Sequence, residues 1–440
     1  MKHCVLAAVM ACVGCLVVAH PLFAQSSASL PRPWGRVSFF SNIAQTGVDA
    51  GPSRGFGEFT SSLTYQMPDR DDDGFEYGID LRHSGFDAIG RSQRLSIYDG
   101  FVGGRMGDGT IKARIGHMWL TDLGALGSVA GGLVEVRQRA RAASKLGRLR
   151  VGAFGGFEPA IYEGGYAPNV RKMGGYVAAD GEGARRHVVG LVMVRNQSVS
   201  ERTVLTTTNF VPVGRKFFLY HAAEYDVRQP AGEGRRGLAY LFTNVRVSPT
   251  DRIELQGTYN RGRSVDTRSL TEDVLAGRPL TRLGIDGLLY ESRGGRVTVA
   301  VARRAHVYAG YSRDKTNRDD APTNRTTFGG NVSNVFGFDF SASDSVLVGS
   351  GRRYQSWYMS GGRQVGRALY LSGDYSKSLS LIHFTRSDDV LIELRPETTR
   401  VSGNSVLYVG RRISLLITVE RTLDDQTREF RMLSGITYRF

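Results

Sequence analysis

The chain ends in the stretch Phe430-Arg-Met-Leu-Ser-Gly-Ile-Thr-Tyr-Arg-Phe440, whose pattern decides the fold. Apolar or aromatic side chains recur at even-numbered positions, at Phe430, Met432, Ile436, Tyr438 and Phe440. A period of two places these side chains on one face of an extended strand. Arginine, threonine and glycine stand between them, so the opposite face of this strand is largely polar.

The same alternation recurs along the chain, most clearly in residues 58–67, 75–82, 252–259, 336–341 and 369–375. Transmembrane barrels alternate lipid-facing apolar residues with lumen-facing polar residues over segments of about ten. A soluble sandwich also alternates, but its two sheets would normally be about half this size. The sequence therefore predicts an all-β fold, a transmembrane antiparallel up-and-down β-barrel over residues 36–440.

The terminal strand resembles the closing strand of bacterial outer-membrane β-barrels, which carries a β-signal ending in an aromatic residue. Gly435, Tyr438 and Phe440 match its glycine and its two aromatics, while Leu433 stands where a polar residue is usual. The resemblance is to a broad, porin-like architectural class and identifies no subfamily. It implies a location in the outer membrane and insertion by the barrel-assembly machinery.

Residues 1–24 predict a secretory signal peptide, because a lysine precedes an apolar run and Ala24 stands before polar residues. The alternative is a lipoprotein signal with Cys12 or Cys15 as the lipidated residue, but either cut would leave an apolar stub. Residues 25–35 would then form a short periplasmic segment. All three cysteines fall in the predicted signal peptide, so no disulfide or Cys-based metal site is expected after it.

Connection lengths give an estimate of the strand number. If the chain enters from the periplasm, tight turns should follow even-numbered strands and longer loops should follow odd-numbered strands. This alternation of short and long connections largely holds to about residue 313. Beyond it the alternation is offset by one connection, which indicates a strand missed or counted twice between Asp314 and Arg353. The odd total of about 23 candidate strands conflicts with the even number usual in such barrels. We therefore predict about 22 strands, within a range of about 18 to 24.

The chain carries a basic excess that is nearly all arginine. Lys and Arg total 57 against 42 Asp and Glu, and only seven of the 57 are lysine. Guanidinium groups in a water-filled lumen attract anions and bind carboxylate or phosphate bidentately. Alternatively, they pair with Glu76, Asp80 and Glu254 and stiffen the wall. The basic residues at lumen-facing positions of the predicted strands are Arg82, Lys112, Arg114, Arg148, Arg150, Arg252 and Arg296.

A barrel of about 22 strands is wide enough to need an internal plug, and the sequence before the first strand is too short to form one. The longest predicted connection, Gly262 to Arg293, is the internal candidate for a constriction loop. Within it, Ser269 to Ala276 could form a short capped helix and would bring Glu272 and Asp273 into the lumen. The alternatives are a mobile outer loop and a periplasmic or lipoprotein partner that plugs the barrel.

Signals for catalysis or metal binding are weak. The sequence has no Gly-x-Ser-x-Gly, no His-Glu-x-x-His and no phosphate-binding loop. Asp69, Asp71, Asp73 and Gly74 match the start of a calcium loop, with Asp80 at its twelfth position. Strands rather than helices flank this string, so a solvated acidic turn is the simpler interpretation. No cofactor is expected, and calcium is only a weak candidate.

The sequence thus predicts an outer-membrane pore for polar, mainly anionic, solutes or polymers, and not an enzyme. One alternative is a non-conducting structural or assembly barrel that anchors a periplasmic or surface partner. Another is a surface lipid hydrolase. The expected partners are outer-membrane lipid, lipopolysaccharide and the barrel-assembly machinery, whereas nucleic acid does not suit this compartment.

Overall fold

The computed structural model describes residues 33–48, 51–67, 72–86, 93–139, 147–160, 165–181, 184–229, 236–385 and 391–440. Residues 1–32, with the predicted signal peptide and most of the predicted periplasmic segment, lie outside these ranges. The strands are β1 (Trp34–Val48), β2 (Gly51–Gln66), β3 (Gly74–Phe86), β4 (Arg94–Met106), β5 (Ile111–Trp119), β6 (Ser128–Arg137), β7 (Arg148–Ala160), β8 (Gly165–Asp180), β9 (Arg186–Asn196), β10 (Val199–Val213), β11 (Phe217–Arg228), β12 (Gly237–Thr250), β13 (Ile253–Ser264), β14 (Leu288–Ala302), β15 (Ala305–Thr316), β16 (Thr323–Val335), β17 (Phe338–Gly349), β18 (Arg352–Val365), β19 (Leu369–Thr385), β20 (Leu391–Leu394), β21 (Glu397–Val409), β22 (Ile413–Asp424) and β23 (Thr427–Arg439).

The strands form a closed antiparallel barrel. β1 pairs with β2 on one side and with the last strand, β23, on the other, so the sheet closes on itself. Within the described ranges β20 pairs with β19 alone, while β19 also pairs with β21. The sheet has 23 strands, and setting β20 aside leaves 22 in the wall. The predicted all-β up-and-down barrel of about 22 strands is confirmed.

Apolar side chains cover the outside of this barrel, and charged side chains lie inside it. On β5, Ile115 is 65% exposed on the outer surface, whereas Lys112 is 6% exposed in the lumen. On β6, Val134 is 53% exposed and its neighbour Glu135 is 2% exposed. Successive residues of a strand face opposite sides of the sheet. An apolar exterior with a charged interior suits a barrel surrounded by lipid.

The residues of the predicted β-signal close the barrel. Gly35 and Phe440 exchange two backbone hydrogen bonds, of 2.8 and 3.0 Å. The ring of Phe440 covers Gly35, where an added Cβ would lie 2.3 Å from the ring, and it also stacks with Tyr438. Gly435 gives the same space to the ring of Phe40, at 2.2 Å. Glycines covered by aromatic rings help to fix strand register, so these contacts hold β23 against β1.

Connection lengths explain why the strand count slipped. The turns at 107–110, 251–252 and 303–304 lie at the end of the barrel where β1 begins and β23 ends, as predicted. The connections at 197–198 and 350–351 lie at the opposite end yet are as short as the turn at 336–337. Length therefore does not distinguish the two ends. Between Asp314 and Arg353 the structure has two complete strands, β16 and β17. The additional strand of the sheet, β20, follows β19.

Two connections at the far end fold into the barrel. The 3₁₀ segment Thr121–Gly127 follows β5, and its Leu123 is completely buried against Gly190 of β9. Helices α1 (Thr267–Leu275) and α2 (Arg282–Asp286) lie between β13 and β14, and α1 packs against β10. None of the described helices is both long enough and apolar enough to cross a membrane. The apolar cluster around Leu123 includes Met118, Leu120, Leu126, Val129, Leu133, Phe154, Val188, Val192 and Val204.

Candidate functional site in the barrel lumen

Strands β3 to β13 are called the braced wall below. Acidic residues on these strands neutralise many of the basic side chains in the lumen. Glu76 on β3 is completely buried and accepts hydrogen bonds from Arg105 at 3.1 Å and from Arg114 at 2.6 Å. The Nζ of Lys112 lies 3.7 Å from the same carboxylate. A buried charge is tolerated only when it is paired. Lys112 and Arg114, two of the predicted anion-attracting residues, are therefore held in a buried ion cluster.

Arg150 ties the 3₁₀ segment to the braced wall. Its guanidinium donates to Glu135 at 2.6 Å and to Asp122 of the 3₁₀ segment at 3.0 Å, and its Nε contacts Asp180. The hydroxyl of Tyr176 donates to Glu135 at 2.7 Å. Charge-assisted, multidentate contacts of this kind are the strong ones. The donors of Arg150 are thus occupied in holding the 3₁₀ segment against the wall.

Arg268 anchors helix α1 inside the barrel. Its Nε donates to Glu201 on β10 at 2.7 Å, and a terminal nitrogen contacts Glu158 on β7. The carboxylate of Asp266 caps the helix by accepting the backbone N–H of Ser269 at 3.0 Å. The connection singled out in the sequence therefore contains a capped helix that reaches the lumen wall.

The two acidic residues predicted on that helix make other contacts. Glu272 is exposed. Asp273 pairs with Arg278 of the same connection at 2.6 Å. The contact between the helix and the wall is therefore made by a basic residue, and these two acids remain candidates for lining the lumen.

A cavity of about 580 Å³ opens between the 3₁₀ segment and β10 to β14. Arg202, on its wall, donates to Asp226 at 2.7 Å and to Glu224 at 3.1 Å. Tyr220, Tyr240 and other side chains line the same cavity. It therefore combines neutralised charges with aromatic faces.

Strands β14 to β23, called the open wall below, carry two lumen arginines of a different kind. Arg296 on β14 lies over the ring of Tyr308, with the guanidinium carbon 3.6 Å from the ring centroid. Arg325 on β16 lines the same cavity of about 280 Å³. In the part of the chain that the structure describes, neither arginine has a carboxylate within ion-pair distance. Stacking orients a guanidinium while leaving its N–H donors available.

Three predicted basic residues lie apart from these groups. Arg82 on β3 is exposed and has no ion pair among the described residues. Arg148 donates its Nε to the backbone oxygen of Gln138 at 2.6 Å. Arg252 lies in the turn that precedes β13, rather than at a lumen-facing strand position, because the strand begins at Ile253.

Comparison with known proteins gives the fold its context. No protein-family model and no curated protein matches the chain. A mutant of the ferric enterobactin receptor PfeA from Pseudomonas aeruginosa is 10% identical with a TM-score of 0.55, over 95% of this chain and 81% of the receptor. OpdQ from Pseudomonas aeruginosa is 9% identical with a TM-score of 0.46, over 93% of this chain and 99% of that chain. OccAB4 from Acinetobacter baumannii is 10% identical with a TM-score of 0.45, over 93% and 98%.

This chain has the fold of a bacterial outer-membrane β-barrel. At this level of identity the similarity extends to the fold alone.

Strand parity did not single out four basic residues of this barrel, Arg105, Arg202, Arg268 and Arg325. Because Arg325 alternates with Thr323 and Thr327, strand parity could have identified it. It lies between Asp314 and Arg353, however, where the strand count is uncertain by one. Arg105 is the next-to-last residue of β4, beside the turn at 107–110. Arg268 reaches the wall from a loop, where strand parity carries no information.

Of the four aspartates in the predicted calcium loop, two lie within the described residues. Asp69 and Asp71 lie outside the described residues. Asp73 accepts the backbone N–H of Gly109 at 2.7 Å and so joins two neighbouring turns. Asp80 lies within β3. The described ranges contain no cluster of three or more His, Cys, Asp or Glu placed to hold a metal ion.

Proposed function

We propose that this barrel is an outer-membrane pore for polar solutes that favours anions. The observation that carries the proposal is the pair Arg296 and Arg325, whose charges face a lumen cavity without a carboxylate partner in the described structure. Charges that line a water-filled channel with low-dielectric walls raise the local concentration of ions of opposite sign. Solutes would diffuse down their gradient along the open wall, past the 3₁₀ segment and α1.

The two walls contribute unequally to this mechanism. On the braced wall, Arg105, Arg114 and Arg150 face carboxylates at hydrogen-bond distance, so their field is largely cancelled. On the open wall, Arg296 and Arg325 keep their field and their donors. We therefore assign anion preference to the open wall and structural support to the braced wall.

Electrical recording tests the proposal. Purified protein is inserted into planar bilayers under a KCl gradient, and the reversal potential reports the ratio of chloride to potassium permeability. A pore of the proposed kind gives a reversal potential displaced toward that of chloride, by an amount that falls as salt screens the lumen charges. A barrel that does not conduct, or that prefers potassium, would contradict the proposal.

One observation favours the second candidate function, a non-conducting barrel that anchors a partner. The 3₁₀ segment and α1 pack inside the lumen, and Leu123 is completely buried there. If these segments occlude the passage, the barrel conducts nothing in bilayers and co-purifies from membranes with a stoichiometric envelope protein. Conductance by the purified barrel alone would exclude this candidate.

The hydrolase alternative gains no support from the histidines that form hydrogen bonds. His187 contacts Asn209 at 2.8 Å, His221 contacts Thr243 at 3.1 Å, and His383 contacts Glu393 at 3.0 Å. Only His383 has an acidic partner, and none of these contacts joins a histidine to both the acid and the nucleophile that an acyl-transfer site requires. We also propose that the assembly machinery inserts the barrel through the closing strand, and that lipopolysaccharide contacts its outer surface.

A further inference from the structure

Six aromatic side chains lie on the lumen side of strands β10, β11, β12 and β14, and they are called the aromatic strip below. Phe210 and Phe218 meet edge to face with centroids 5.2 Å apart, and Tyr220 and Phe242 lie 5.8 Å apart. Tyr240 lies opposite Glu224, two positions along the strand from Phe242. The rings of the strip belong to Phe210, Phe218, Tyr220, Tyr240, Phe242 and Tyr290.

Three of the six rings face open space rather than a packed core. Tyr220, Tyr240 and Tyr290 line the 580 Å³ cavity. The ring of Tyr290 covers Gly262, where an added Cβ would lie 2.4 Å from the ring. Apolar rings exposed to water in a channel are unfavourable unless something covers them. Their arrangement over a cavity therefore points to a ligand with apolar faces.

Two arginines lie at the Phe218 end of the strip, where Arg246 pairs with Phe218 across β11 and β12. The guanidinium carbon of Arg246 lies 5.3 Å from the ring centroid of Phe218. Gln256 pairs with Arg246 on one side and with Arg296 on the other, which places the two arginines in one cross-strand row. At about 4.8 Å between neighbouring strands, their backbones are about 10 Å apart. The Nε of Arg246 lies 3.8 Å from the half-exposed Glu254, whereas Arg296 has no carboxylate partner among the described residues. An anionic group on a ligand that lies on the strip would thus meet Arg296 directly and would compete with Glu254 for Arg246.

The length and the polar rim of the strip narrow the class of ligand. From Tyr240 to Arg246 is six residues of extended strand, or about 20 Å, which is longer than a single sugar or aromatic acid. Thr206 and Thr208 line the cavity. These groups suit a ligand that carries hydroxyls.

We propose that the aromatic strip, with Arg246 and Arg296, binds acidic oligosaccharides as they pass through the barrel. A uronate ring offers an apolar C–H face for stacking, a rim of hydroxyls for threonine, and a carboxylate that arginine binds bidentately. This inference rests on the proposed pore function, because it names the class of solute that the lumen carries. It makes its own prediction about binding.

The probe is an oligogalacturonate of about six units, added during single-channel recording of the full-length barrel. We expect transient current blocks, and weaker blocks from galacturonate monomer and from neutral maltohexaose. Replacing one ring that stacks on the ligand, by Phe218→Leu or Tyr220→Ala, should raise the half-blocking concentration about 10-fold. Phe328→Ala, which removes an outward-facing ring, is the matched control and should leave the block unchanged.

Folding of each variant is checked by the mobility difference between heated and unheated barrel in gel electrophoresis. The conservative Phe218→Leu variant keeps most of the apolar volume, so it tests the ring face even if Tyr220→Ala misfolds. Equal block by maltohexaose would overturn the acidic part of the proposal. Block by an oligothymidylate without block by oligogalacturonate would assign the strip to another polymer.

Failure of this inference can be separated from failure of the pore function. A barrel that conducts anions but is not blocked by oligogalacturonate refutes the aromatic-strip proposal and leaves the pore intact. A barrel that does not conduct refutes the pore. Calorimetry with the detergent-solubilised barrel then decides whether the strip binds oligogalacturonate, and absence of binding overturns the proposal.

Discussion

The braced wall and the open wall carry the same residue type at equivalent lumen-facing positions, yet the residue does different work in each. Arg114 on the braced wall lies 2.6 Å from a completely buried carboxylate. Arg296 on the open wall lies over a tyrosine ring and has no carboxylate partner in the described structure. The partner, and not the arginine itself, decides whether the charge supports the wall or acts on a solute.

This difference follows from what each wall must support. The braced wall carries the 3₁₀ segment and α1, and its ion pairs connect those segments to the strands through Arg150 and Arg268. The open wall carries the cavity that Arg296 and Arg325 line. Four substitutions test the division, in order of decreasing expected effect.

The largest effect is expected from Glu76→Gln. The substitution leaves Arg105, Lys112 and Arg114 without the buried carboxylate they share, and breaking such a cluster costs about 3–5 kcal/mol. Urea unfolding followed by tryptophan fluorescence measures the loss. Glu420→Gln, which breaks a pair with the half-exposed Arg400 on the open wall, should cost about 1 kcal/mol or less. Equal losses in the two variants would remove the distinction between the walls.

Arg268→Met is expected to release α1 from the wall. It removes the contacts with Glu201 and Glu158, and hydrogen bonds to charged groups contribute about 1.5–3 kcal/mol. The population of undocked helix should therefore rise by about 10- to 100-fold, seen as added current noise in single channels. Arg278→Met, which breaks an exposed pair within the loop, is the control. Unchanged noise in Arg268→Met would show that the anchor lies elsewhere.

Asp266→Ala should weaken α1 by about 1 kcal/mol, because it removes the N-cap. Hydrogen bonds from the Ser269 backbone and hydroxyl hold the pKa of Asp266 below its ordinary value. A lowered pKa means that the cap contributes fully above the ordinary value, about 4, and loses its effect as the pH falls through the lowered one. Current noise in the wild-type barrel should rise with acidification through this window, while the variant stays noisy throughout. Identical pH profiles would contradict this role.

The smallest effect is expected from Tyr308→Leu on the open wall. It removes the ring that orients Arg296, and a partly exposed cation–π contact contributes about 0.5–1 kcal/mol. Anion preference should fall by less than it does when the charge itself is removed, with no change in unfolding. Tyr311→Leu, on the outward face of the same strand, is the matched control. A complete loss of preference would mean that the ring and not the charge governs selectivity.

Most of the fold follows from the sequence, because period-two alternation and the terminal aromatic motif are local signals. The face on which Lys112, Arg114 and Arg150 lie also follows from parity alone. Parity also places Glu76 on the lumen face as a candidate partner, as the structure shows. It does not identify Asp122, which reaches Arg150 from the 3₁₀ segment. The missed residue Arg325 shows a second limit, because a connection as short as 350–351 hides which end of the barrel it occupies.

The reversal potential of two charge-matched double variants tests the central claim most directly. Arg296→Gln with Arg325→Gln removes two charges from the lumen, and Arg293→Gln with Arg313→Gln removes two exposed charges from the outward face of neighbouring strands. The account predicts that the lumen variant loses most of its preference for chloride, whereas the outward variant keeps the wild-type reversal potential. Equal reversal potentials in the two variants would contradict it.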